Sequence, residues 1–155
     1  MVAAAGGPSL TLHSVRGRSL YAAPIRIGLG LAWLLAARRT GAPATGALLA
    51  FGGGAFAIVF FLFNDPRGRF LGRGEAQPVP TGMVVASPLR QALVALLPST
   101  VGVSVLAAVA LAFQPTLSAL LGGISAGLGV AGALYALRAD PALYVEPRTG
   151  AVYRR

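Results

Sequence analysis

Residues Ala44–Pro66 read ATGALLAFGGGAFAIVFFLFNDP. Ala44–Phe63 is twenty residues without a charge, and Asn64-Asp65-Pro66 and an arginine-rich run follow. A stretch of that length and apolarity is what a helix needs to cross the hydrocarbon core of a bilayer. The same plan returns at Thr116–Pro141, TLSALLGGISAGLGVAGALYALRADP. Two apolar stretches, each closed by Asp-Pro, make the chain a membrane protein built from two similar halves.

Composition agrees. The chain has 155 residues, 55% hydrophobic and 11% charged, where a soluble domain carries about a quarter charged residues. The net charge is +9, with arginine as its only basic residue apart from one histidine. In a soluble protein the pI of 11.7 would point to nucleic acid. Here the arginines flank apolar runs, so the expected partner is a bilayer with anionic headgroups and not nucleic acid. Arg16, Arg18, Arg26, Arg67, Arg69, Arg73 and Arg90 are the candidate headgroup contacts. With no cysteine, disulfides, thiolate catalysis and cysteine-held metals are excluded. His13 stands alone in a polar tail and reads as solvated. No cofactor, metal site or catalytic constellation is expected.

The spacing predicts an all-α integral membrane protein of four transmembrane helices, arranged as two tandem hairpins. Residues 1–19 form an N-terminal tail, 20–63 the first hairpin, 64–90 an Arg/Gly/Pro-rich loop, 91–137 the second hairpin and 138–155 a C-terminal tail. Arg16 and Arg18 before Ile25–Ala37 imitate a signal peptide. The long polar start and Arg38-Arg39 directly after the run favour an uncleaved span.

The first span, Leu20–Ala37, is weakened by Arg26. Six residues past Leu20 is about 9 Å of helix rise. At that depth the guanidinium either snorkels to the headgroups, the favoured reading, or contacts an anion or substrate inside the bundle. The second span carries Gly46, Ala50 and Gly54 at i, i+4 and i+8, a ridge that lets a second helix approach. Gly52-Gly53-Gly54 mark either close packing, which is favoured, or a broken transporter helix. Pro98, beside Ser99 and Thr100, predicts a kink or late start in the third span, Ala92–Phe113. The fourth, Leu117–Leu137, contains Gly123 and Gly127 in a GxxxG pattern and a second small stripe at Gly122, Ala126, Gly129 and Ala133.

Between the spans, Met83–Val85 reads as a short strand, and Leu143–Glu146 with Ala151–Arg154 as a β-hairpin that needs a partner surface. Asp65 and Asp140 read as helix-end residues that cap backbone N–H groups or pair with Arg67 or Arg138. Ten arginines fall in the N-tail, the 64–90 loop and the C-tail, against Arg38 and Arg39 on the other side. That bias places both termini in the cytoplasm of a bacterial cell, with the spans in its inner membrane.

FFLFNDPR at residues 60–67, followed by GMVVASP at 82–88, resembles the membrane-hairpin exit of phosphatidylserine decarboxylases. There a Phe-rich helix runs into an Asp-Pro turn and then a Val-rich strand with Ser-Pro. The rest of the chain departs from that family. Two more spans stand where it has its soluble catalytic domain, including the serine that becomes its pyruvoyl group, so the resemblance implies no decarboxylase activity.

All four acids, Asp65, Glu75, Asp140 and Glu146, lie outside the spans, where a proton-coupled exporter needs an ionisable group within them. Small multidrug exporters, also four-span chains, carry a glutamate in their first span. Here only Arg26 occupies it. The expectation is a non-enzymatic accessory or scaffold subunit, packed through its small-residue faces against a larger membrane complex or a second copy. The alternative is a small transporter or pore former acting as an oligomer.

Overall fold

The computed structural model describes residues 11–64, 77–79, 83–146 and 151–155. Arg67, Arg69, Arg73 and Asp65 lie outside the described residues. The chain is mostly helical, with a small sheet at one end.

Strand β1 (Thr11–Ser14) runs directly into helix α1 (Val15–Arg39). Ser14 is the N-cap, its Oγ accepting from the Gly17 N–H at 3.1 Å. The tail read over residues 1–19 is therefore strand and helix from Thr11 onward. Local capping starts α1 earlier than hydropathy suggests, because a helix end can extend past the apolar run into the headgroup layer. Gly41, at φ 102°, makes the turn into α2 (Ala44–Phe63); that backbone region suits a residue without Cβ. The helix is continuous through Gly52-Gly53-Gly54.

Strands β2 (Gln77–Pro78) and β3 (Val84–Val85) precede α3 (Pro88–Leu96) and α4 (Ser99–Phe113). The expected third span is thus two helices, bent by 50° at Leu97-Pro98. The break follows from Pro98, which cannot donate to a helical ladder and pushes the preceding residue out of the helical region; Leu97 is extended, with ψ 140°. Helix α5 (Pro115–Arg138) then leads to β4 (Leu143–Val145) and β5 (Val152–Arg154). Three helices are long and apolar enough to cross a membrane, or four spans if α3 and α4 count as one.

Helix α5 is the axis of the bundle. It packs on α1, α2 and α4, while α1 and α2 touch each other little. The two hairpins are therefore not separate packing units: α5 lies against both helices of the first. Its two small-residue faces explain this. A Cβ on Gly54 of α2 would stand 2.5 Å from the Leu120 carbonyl oxygen, and one on Gly127 would stand 2.7 Å from that of Ala55. A Cβ on Gly123 would overlap the Phe51 carbonyl. On the other face, a Cβ on Gly30 of α1 would stand 2.5 Å from the Gly122 carbonyl oxygen, and one on Gly129 would stand 2.8 Å from that of Ala23. Backbones this close gain dispersion along their whole contact, which carries helix association where both alternatives are apolar. At the end away from the sheet, Ala37, Ala42, Ala47 and Ala119 close a small core under Leu34 and Leu111.

The sheet has the order β2-β5-β4-β1-β3. The strand expected over Met83–Val85 is present at Val84–Val85, and the expected C-terminal hairpin is present as antiparallel β4 and β5 with Tyr144 opposite Tyr153. The partner surface that the hairpin needed is β1, which pairs antiparallel with β4 and parallel with β3. The start of the chain, the middle loop and the C-terminal tail therefore meet in one sheet at one end of the bundle.

Candidate functional site

The junction of α1, α3 and α4 gathers the polar groups of the bundle around Arg26. Its Nε donates to Thr100 Oγ1 at 2.9 Å, and its Nη2 donates to the Ala95 carbonyl at 2.6 Å and to Ser99 Oγ at 3.3 Å. The Arg26 carbonyl accepts from Ser125 Oγ of α5 at 3.1 Å. A proline break leaves helix-end carbonyls without their N–H partners, and in lipid something in the protein must supply donors. Arg26 supplies one, to the Ala95 carbonyl, and ties the Thr100 and Ser99 hydroxyls beside it. The described contacts of the guanidinium are thus with α3 and α4 of the same chain, which is neither the expected snorkelling nor the alternative contact with an anion or substrate. Pro98 beside Ser99 and Thr100 marked the bend in sequence; what hydropathy does not encode is that this bend, of 50°, meets Arg26 of α1.

Among the small residues, Gly54, Gly123 and Gly127 lie on the α2–α5 contact. Gly46 does not: a Cβ there would meet nothing nearer than Pro43, at 3.9 Å. Ala50 is half-buried. The reason is helical pitch. Eight residues rotate a position about 80° past two full turns, whereas seven fall only about 20° short. The ridge that touches α5 is therefore Ala47, Gly54 and Ala55, offset from the i, i+4, i+8 series. Gly46→Leu should leave membrane level and unfolding midpoint near wild type, measured by immunoblot and detergent melt.

Arg16 is exposed and Arg18 half-buried at the start of α1; Arg90 is exposed in the first turn of α3. The two helices approach there, since a Cβ on Gly17 would stand 2.7 Å from Gln91 Oε1. Arg38 donates to the Ala42 carbonyl at 3.2 Å. Asp140 caps the Ala142 N–H at 2.9 Å, as expected of a helix-end acid, but its ion-pair partner is Arg154, at 3.0 Å. Arg138 lies instead over the Phe63 ring, 5.1 Å from its centroid.

His13 corrects the sequence reading. It is 2% exposed, in β1, with Nδ1 unpartnered among the described residues. Strand pairing buries it, which a lone histidine in a polar tail did not reveal. Burial, and then the charges of Arg18 and Arg90, hold its pKa below the ordinary imidazole value. The unfolded chain takes up a proton near pH 6.5 and the folded chain only at a lower pH. Stability should therefore fall as pH drops through that range, and His13→Gln should show a smaller loss. Detergent melts at pH 7.5 and 5.5 measure the difference; equal losses in both proteins would count against it.

Among the described residues, no three His, Asp or Glu side chains are grouped to hold a metal ion. No protein family, curated protein or solved structure matches this chain.

Proposed function

We propose that this chain is a non-enzymatic accessory or scaffold subunit of a bacterial inner membrane, with four spans and both termini cytoplasmic. The observation that supports it best is the way α5 is used. Its glycine faces close directly on the backbones of α1 and α2. A rigid, filled bundle of this kind suits a structural part better than a path for solutes.

That use of α5 changes the partner surface. The small-residue faces are occupied within the chain, so a partner would meet other faces. The outer face of α2 is a candidate, with Leu49, Phe56 and Phe60 71%, 69% and 51% exposed. The bilayer and a larger membrane complex or second copy remain the proposed partners. Purification in a gentle detergent, with a photo-crosslinker at Phe60, tests the reading. A discrete protein adduct supports it. Recovery of an uncrosslinked monomer with wild-type phenotype after Phe60→Ala would count against this face.

The second reading, a small transporter or pore former acting as an oligomer, is favoured by one observation: the broken helix at Leu97-Pro98 with a cation against it. Broken helices at cation or anion sites are a transporter device. Solute flux in liposomes holding only this protein would decide for it.

The arginine bias and the shared sheet support one topology. Reporter fusions at Arg155 and within Arg39–Gly41 should report opposite sides, cytoplasmic and periplasmic respectively. A periplasmic signal at Arg155 would overturn it.

A further inference from the structure

A groove runs along the outside of the bundle between α1 and α4, lined by Leu29, Leu96, Thr100, Val101, Ser104 and Val105. Its volume is about 330 Å³, it is almost wholly apolar, and it is open along one side. At its sheet-facing end Thr100 holds the guanidinium of Arg26. Nε and Nη2 of that group have protein acceptors; Nη1 has none among the described residues. An arginine has five N–H donors, so two remain to be placed. Of the described carboxylates, Asp140 is paired with Arg154, at 3.0 Å. Arg18 and Arg90 flank the close contact of Gly17 with Gln91, on the sheet side of Arg26.

We propose that this groove holds one acyl chain of an anionic phospholipid, with the lipid phosphate on Nη1 of Arg26 and in the field of Arg18 and Arg90. Charge and shape point to the same occupant. A planar guanidinium with a free N–H pair matches phosphate oxygens. Arg26 lies about 9 Å of helix rise inside Leu20, within reach of the headgroup layer for a long side chain and a local phosphate. From that point the chain of the same lipid runs into an apolar channel of the right polarity. A partner helix would need small residues or a polar stripe to enter; a chain of methylenes needs neither.

Native mass spectrometry of the full-length protein tests this. The protein is incubated with an equal mixture of phosphatidylglycerol and phosphatidylcholine bearing the same chains. A single retained lipid is expected, with phosphatidylglycerol favoured by about fivefold, the size of a modest charge-assisted preference. Arg26→Gln should abolish the preference. Ser104→Leu, which fills the groove and leaves Arg26 in place, should remove the retained lipid of both headgroup types. The wild-type competition and Ser104→Leu decide the matter even if Arg26→Gln fails to fold. Equal retention of the two lipids, no retained lipid, or an unchanged adduct in Ser104→Leu would overturn the proposal. So would a lipid-free dimer that Ser104→Leu dissociates, since the groove would then hold a second copy.

Discussion

Gly123→Leu should prevent the bundle from forming, and Gly54→Leu and Gly127→Leu should each destabilise it strongly. A Cβ at Gly123 has no space, because the Phe51 carbonyl of α2 occupies it. At Gly54 and Gly127 the obstructing atoms are also backbone: the Leu120 and Ala55 carbonyl oxygens at 2.5 and 2.7 Å. Backbone cannot rotate away as a flexible side chain can, so α2 and α5 would have to separate. Overpacking a core costs roughly 1–3 kcal/mol where side chains can shift. A helix displaced along its length loses dispersion at every turn, so Gly123→Leu should exceed that range. Leu48→Ala and Val130→Ala are the controls; both side chains are exposed, at 58% and 40%. Membrane level and unfolding midpoint in detergent are the readouts. Because these contacts lie within one chain, the variants should lose the folded monomer itself. A change confined to oligomer size, with level and midpoint intact, would show that the glycines face another copy instead. Three leucine variants indistinguishable from wild type would end the packing argument.

The apolar runs were legible because a helix fit to span lipid must satisfy its own backbone and leave charges outside. Hence α2 ends at Phe63 and α5 at Arg138, close to the hydropathic limits. The strands at Val84–Val85 and Leu143–Val145 were legible from β-branched and aromatic residues after turn signals. What sequence did not give is long-range pairing. His13 and Leu12 are buried only because β1 finds β3 and β4, some 70 and 130 residues away. Likewise the GxxxG of α5 is visible in the sequence, but not which neighbour it serves. The answer depends on a quarter-turn of rotation: Gly123 and Gly127 face α2, while Gly122 and Gly129 face α1. The ridge Gly46–Ala50–Gly54 missed by a similar angle, since small residues are frequent enough in α2 to suggest more than one stripe.

Arg26→Leu should lower the stability of the folded protein even though it makes α1 more apolar. The two accounts of Arg26 give opposite signs here. If the guanidinium merely snorkels, leucine removes a charge that costs about 2.5–3.5 kcal/mol at a helix centre and less near its end, so the variant would be as stable or more so. In the structure the guanidinium supplies three hydrogen bonds across the break between α3 and α4. Hydrogen bonds to a charged group are worth about 1.5–3 kcal/mol, and a buried acceptor left without a donor carries its own penalty. A net cost of about 1–3 kcal/mol is therefore expected. Arg26→Lys should fall between, because an ammonium is a point donor and cannot span Thr100 on one side and Ala95 on the other as a planar fork does. Insertion and folding must be read separately. Membrane insertion of α1 should improve in Arg26→Leu on either account, so it does not discriminate. The unfolding midpoint in detergent does: the order wild type, lysine, leucine is expected. Protease cleavage near Leu97 should rise in the same order, as α3 loses its tie to α1. A leucine variant with a midpoint at or above wild type would return Arg26 to the headgroups and leave the break without its donor.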